Sequence, residues 1–188
     1  MRKKSGSYRT TNTAVPPTHQ AVKLMKTTLS IHPTAYVSPK SYLAGDVTVG
    51  AHCSIWPFAS LRGDHAPISL GEGTNVQDSC TLHVSVDRPV RIGSQCTIGH
   101  GAVVHGATVG DTCIIGMNAT VLDGAVIGNN SIVGAGALVT EGKVFPDNSL
   151  ILGVPAKAVK TLPPASVDAI RENAASYREL ARHYREME

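Results

Sequence analysis

Residues 109–139 read VGDTCIIGMNATVLDGAVIGNNSIVGAGALV. An aliphatic side chain falls at every sixth position: Val109, Ile115, Val121, Ile127, Val133 and Val139. Glycine follows four of them directly, and the residue four places on is small: Cys113, Ala119, Ala125, Ser131, Ala137. An amphipathic helix repeats every 3.6 residues and a half-buried strand every two, so a period of six is neither alone. It fits a coil of three sides, each hexapeptide supplying one short strand and one turn.

Working outward, the same series runs back to the start of the pattern. Ile31, Val37, Leu43, Val49, Ile55 and Leu61 keep step; after nine residues come Leu70, Val76 and Leu82, and after ten Ile92, Ile98 and Val104. Eighteen positions form six sets of three. The three irregular steps, 61 to 70, 82 to 92 and 104 to 109, all fall between a third side and the next first side, at one corner of the prism. The expected fold is therefore an all-β solenoid of hexapeptide repeats, six coils rising roughly 29 Å at about 4.8 Å each. The large residue fills the interior, the small one lets the chain corner, and the glycines are expected to take unusual turn dihedrals. After Val139 the pattern frays through Phe145 and Ile151. Pro163-Pro164 then opens a segment with apolar residues at Val167, Ile170, Ala174, Tyr177, Ala181 and Tyr184, the spacing of an amphipathic helix laid along the prism.

Composition agrees with this architecture. Aromatics are only 4% of 188 residues against 18 glycines, as a narrow interior of aliphatic and small residues requires. Cys53, Cys80, Cys96 and Cys113 all stand at small interior positions and make no CxxC pair; they read as core residues of a reducing compartment. No apolar run reaches the roughly 18 residues of a membrane span. The net charge of +3 divides into +6 over residues 1–28 and −3 over 29–188. A nucleic-acid surface on the body would need a concentrated basic face and is not expected. Residues 1–28 read as a disordered basic extension, upstream of a more natural start at Met25; residues 29–160 as the β-helix; 161–188 as the covering helix. The expected location is cytoplasmic, with organellar targeting by the acid-free, Arg-containing extension as the alternative.

Among the eight histidines, His19, His32, His52 and His183 read as solvated, whereas His83, His100 and His105 stand apart. Arg62, His83 and His105 each come one residue after a third-side marker, so they form an outward column on successive coils. His83 and His105 can reach one ion. His100 lies round a corner, up to about 16 Å from His105 along the chain. A three-fold assembly of prisms would bring His100 of one subunit to the His83–His105 pair of the next. Three imidazoles with a fourth position open suit a catalytic zinc site; spacing alone equally allows outward surface or interface histidines.

The order Arg62-Gly63-Asp64, Asn75-Val76-Gln77-Asp78, His83, Gly99-His100 and His105-Gly106 resembles the γ-class carbonic anhydrases over roughly residues 29–185. The resemblance implies a left-handed parallel β-helix with a C-terminal α-helix, a homotrimer, and a metal (Zn2+, with Fe2+ or Co2+ as alternatives) on His83 and His105 of one subunit and His100 of its neighbour. It implies reversible hydration of CO2 to bicarbonate, with Gln77 hydrogen-bonded to the metal-bound hydroxide or CO2 and Asn75 orienting substrate. Arg62 and Asp64 would pair near the interface, either serving bicarbonate or as a structural salt bridge. Asp78 would accept the second imidazole N–H of His100. The chain departs from the family in the short stretch Val84–Pro89, which holds one acid where active members carry a longer acidic loop. His65 stands where a proton shuttle can occur, or is a solvated loop histidine. Two alternatives remain open: a carbonic-anhydrase-like protein that binds metal or bicarbonate with little activity, and a coenzyme A-dependent acyltransferase, to which Gly153-Val154-Pro155-Ala156-Lys157 points. An acyltransferase uses one histidine as general base and needs no metal-spaced set.

Overall fold

A computed structural model describes residues 28–187 of the chain. The reading of residues 1–28 as a disordered extension lies outside the described residues except at Thr28, which opens the first strand, Thr28–Ile31.

The aliphatic series stacks in three columns, each marker paired in parallel register with the next on its own side. One column runs Ile31, Val49, Leu70, Ile92, Val109, Ile127. The second runs Val37, Ile55, Val76, Ile98, Ile115, Val133. The third runs Leu43, Leu61, Leu82, Val104, Val121, Val139. The chain is a left-handed parallel β-helix with one C-terminal helix. Every marker from Val49 to Val139 is buried, and so are the four cysteines. Ile31 is exposed, because among the described residues no coil lies beneath it.

Two features differ from expectation. Beyond the six expected coils the pattern stays regular where it was expected to fray: Phe145 pairs with Ile127 and Ile151 with Val133, both side chains are buried, and two sides of a seventh coil are present. An antiparallel strand, Ala156–Thr161, then closes the stack against Ser149–Gly153. The glycines that follow the markers also do not supply the turn dihedrals. The left-handed backbone lies two residues further on, at Thr112, Asn118, Asn130 and Gly136 among others. Gly128 is needed for space: a Cβ there would stand 2.5 Å from the Asp147 nitrogen of the next coil. The residue that turns and the residue that makes room for the next coil are therefore different positions.

The helix Pro164–Met187 runs down the second side. It buries Ile170, Ala174 and Ala181 and lays Tyr177 and Tyr184 on Trp56, with ring centroids 5.9 and 5.1 Å away. Arg185 ties its far end to the carbonyls of Thr34 and Pro33 at 2.8 and 3.2 Å. No helix among the described residues is long and apolar enough to cross a membrane.

Candidate functional site

The corner between the third and first sides is where the hexapeptide rhythm is broken, and the extra residues build the site. In the early coils the chain crosses that corner as one strand, Ser60–Leu70, which carries Arg62, Asp64 and His65. One coil on, the additional residues form the Val84–Arg88 segment, turned by an Arg88 N–H donating to the Ser85 carbonyl at 3.1 Å. Above lie His105, Asp123 and Glu141. Together they line an open cleft of about 830 Å3 containing His65, His83, Ser85, Arg88, His105, Asp123 and Glu141.

Arg62, His83 and His105 are register partners on consecutive coils, as their spacing requires. His83 Nδ1 and His105 Nε2 face each other at 3.0 Å. Behind each ring stands a carboxylate: Asp64 Oδ1 is 3.1 Å from His83 Nε2, and Asp123 Oδ2 is 3.0 Å from His105 Nδ1. Asp64 is itself held by Arg62 at 2.5 Å, a pair made within one chain. Partial burial pushes the Asp64 carboxyl up, but the His83 hydrogen bond and the Arg62 charge outweigh it and hold it below the usual carboxylate range. Burial, and then the nearby Arg62 guanidinium, keep the His83 imidazole below the usual histidine range despite Asp64. A neutral His83 that donates Nε2–H to Asp64, beside a His105 that donates Nδ1–H to Asp123, leaves two lone pairs facing each other. That confrontation is relieved by a shared proton or a cation. His65 lines the same cleft, with Nε2 3.9 Å from Asp64 Oδ1.

His100 does not line this cleft. It sits at the corner between the second and third sides, with Nδ1 3.0 Å from Asp78 Oδ2 and its backbone N–H donating to Gln77 Oε1 at 3.1 Å. Gln77 and Asn75 are buried on that side, away from the His83–His105 pair. Gln77 Nε2 donates to Asn75 Oδ1 at 3.1 Å, Asn75 Nδ2 to Thr97 Oγ1 at 2.8 Å, and Thr97 Oγ1 to Asn173 Oδ1 of the helix at 2.8 Å. Tyr177 reaches the same network through Gln77. One chain thus carries two half-sites: Arg62, Asp64, His65, His83 and His105 at one corner, and Asn75, Gln77, Asp78 and His100 at another. Among the described residues of a single chain no three ligating groups converge.

The donor set nonetheless fits a metal. Two imidazole nitrogens bound to tetrahedral zinc at 2.0–2.1 Å stand about 3.3 Å apart, close to the 3.0 Å between His83 and His105. A carboxylate on the second nitrogen is the support that metal-bound imidazoles commonly have, and all three histidines possess one. Asp123, Arg88 and Glu141 were not legible as site residues. Asp123 was within reach, since it lies 18 residues after His105, one full coil above it.

Residues 106–141 match the family described as bacterial transferase hexapeptide (six repeats). The carnitine operon protein CaiE of Escherichia coli O157:H7 is 41% identical over 150 residues, 80% of this chain and 76% of that protein. Among solved structures, a putative acetyltransferase from Bacillus cereus superimposes with a TM-score of 0.85 at 34% identity, covering 87% of this chain and 95% of that one. A hexapeptide transferase family protein from Anaplasma phagocytophilum gives 0.80 at 35% identity, covering 83% and 92%. These similarities correct the enzyme assignment drawn from the resemblance: the relatives are a carnitine operon protein and transferases, and a γ-class carbonic anhydrase is not what they support. The polar residues behind that resemblance hold imidazoles in place, a task that does not prescribe CO2 hydration. With a relative 41% identical across three quarters of its length, the chain belongs to the family of hexapeptide-repeat β-helix proteins that includes CaiE.

Proposed function

We propose that the chain is an acyltransferase that takes its acyl group from a thioester of the coenzyme A type, with His105 as general base. The observation that carries this reading is the His105–Asp123 pair. With Nδ1–H directed at Asp123, the ring is held in one tautomer, and its basic Nε2 faces His83 Nδ1 at the wall of the cleft. In the reaction, His105 takes the proton of an acceptor hydroxyl or amine as its oxygen or nitrogen attacks the thioester carbonyl. The new C–O or C–N bond forms, the C–S bond breaks, and the departing thiolate recovers the proton. The transferase names of the structural relatives support the same class.

The test is release of free thiol from short acyl-CoA thioesters with a panel of alcohols and amines. Wild type should release thiol faster when acceptor is present. His105→Ala should lower the rate by 10²–10⁴, the usual worth of a positioned base. Acceptor-independent release, or an unimpaired His105→Ala, would refute the assignment.

A second reading has its own support, the carboxylate behind each of three histidines. In a homotrimer, His83 and His105 of one subunit and His100 of its neighbour would hold Zn2+, or Fe2+ or Co2+, which accept the same ligands. When bound, the ion would supply Lewis-acid polarisation of a carbonyl. Metal analysis of protein purified anaerobically is the test: about one ion per subunit in wild type, lost in both His83→Ala and His100→Ala. Metal retained in His100→Ala would remove the inter-subunit site.

A further inference from the structure

Arg88 has no part in the pairs described above, yet its placement is built. Its backbone is fixed by the turn to Ser85, and its side chain lies flat over the chain at Gly106 and Gly124. A Cβ on Gly106 would stand 3.0 Å from Arg88 Cβ, and one on Gly124 would collide with Nη1. The guanidinium is thus carried across two coils to the lining of the cleft that holds His105. Among the described residues it makes no side-chain hydrogen bond and no ion pair, although Asp87, Asp123 and Glu141 are close in the chain or the cleft. A guanidinium with five donors, seated and unused in the cleft that His105 also lines, is a binding group for an anion.

We propose that Arg88 anchors a carboxylate at the reacting end of the substrate, within the His105 cleft. The location excludes the phosphates of coenzyme A as its target. Those are separated from the sulfur by the whole pantetheine arm, whereas Arg88 leaves the chain beside Gly106, the residue after His105, and its guanidinium reaches Gly124 in the lining of the same cleft. The carboxylate belongs either to the acceptor or to the far end of the acyl chain. Glu141, also without an ion-pair partner among the described residues, lines the same cleft and competes for the guanidinium. The inference rests on the acyl-transfer reading only for which atoms react; its test is a binding measurement and stands apart from turnover.

The probes are butyrate and its neutral isostere butyramide, titrated into the full-length protein by calorimetry or by histidine ring NMR shifts. Wild type should bind butyrate at least about ten-fold more tightly. Arg88→Gln should abolish that preference without changing the melting temperature, Arg88→Lys should keep part of it, and Glu141→Gln should tighten butyrate several-fold while leaving butyramide alone. Equal binding of the two probes by wild type, or a preference that survives Arg88→Gln, overturns the proposal. Repeating the titration with a thioether analogue of butyryl-CoA assigns the source: butyrate that still binds marks an acceptor carboxylate, and butyrate that is displaced marks the acyl chain. A thioether that fails to bind would count against the acyl-transfer reading while the anchor stands.

Discussion

Replacing Gly128 with alanine would put a methyl carbon 2.5 Å from the Asp147 nitrogen and the Pro146 carbonyl carbon of the coil above. Ordinary contact begins near 3.4 Å, so the two coils must part by about 0.9 Å. Several hydrogen bonds cross that gap: Gly128 N–H to Phe145 O at 3.0 Å, Asn129 N–H to Asp147 Oδ1 at 2.7 Å, and Asn148 N–H to Asn129 O at 2.7 Å. Lengthening three such bonds beyond reach, at about 1 kcal/mol each, costs about 3 kcal/mol. Gly136 is the control. A Cβ there meets nothing within 4 Å, but the backbone φ is +66°, so alanine pays only the left-handed penalty of about 1–2 kcal/mol. Asparagine already holds that conformation at Asn118, Asn130 and Asn148, and Gly136→Asn should cost a few tenths of a kcal/mol or less. Urea denaturation at one fixed subunit concentration, followed by far-ultraviolet circular dichroism, gives the order. Gly128→Ala should be the least stable, Gly136→Ala intermediate and Gly136→Asn near wild type. A Gly136→Ala that loses as much as Gly128→Ala would refute the separation of spacing glycines from turning residues.

Other consequences concern the interior and the helix. Burial pushes the Cys53 and Cys80 thiols up to about 11 from 9.0; a thiol that ionises less readily when folded contributes stability below pH 9 that is lost as the pH rises towards 11. The denaturation midpoint should therefore fall between pH 9 and 11 by less in Cys53→Ala/Cys80→Ala than in wild type. Native protein should be slow to react with thiol reagents at pH 8. Leu82→Ala, at a wholly buried position of the third column, should cost about 2–5 kcal/mol by the same measurement. Trp56 is the single tryptophan and is buried under Tyr177 and Tyr184, so ending the chain at Pro163 should shift its emission to longer wavelength, and an unshifted spectrum would mean the helix does not cover it.

The columns were legible because each side chain of a marker position meets only its own kind above and below, so interior demands repeat along the chain without interference. Val49 through Val139 carry that demand undiluted. It was harder to follow at Phe145 and Ile151, where Pro146 stands in the place that Gly128 holds one coil earlier, although the step of six continues. The corner of the site was legible through its irregular steps, and the Arg62, His83 and His105 column through alternation. What spacing could not convey was which polar atoms meet once the corner is folded. Asp123 closes on His105 from a turn one coil away, and Arg88 crosses two coils over glycines whose role is visible only when the Cβ is imagined in place. Asn75 and Gln77 follow the rule for outward residues but end buried beneath the helix, a tertiary contact that no hexapeptide records.

His105 Nε2 is the atom on which the two functional readings divide. As a general base it must offer its lone pair to an acceptor proton; as a ligand it has given that pair to an ion. Asp123 serves both, since a carboxylate on Nδ1 fixes the tautomer and ring orientation that aim Nε2, whether the partner is a proton or a metal. The half-site at His100 serves only one of them. A base at His105 needs nothing from the second-side corner, whereas an ion requires the His100 imidazole, whose backbone N–H Gln77 accepts and whose ring Asp78 holds. The chain from Asn173 through Thr97, Asn75 and Gln77 to His100 therefore has a catalytic purpose under the metal reading and a purely architectural one under the other. Thr97→Val cuts that chain without touching the His83–His105 cleft. Acyl transfer that survives Thr97→Val and His100→Ala unchanged assigns the reaction to His105 alone; transfer that falls with both makes the neighbouring subunit part of the site.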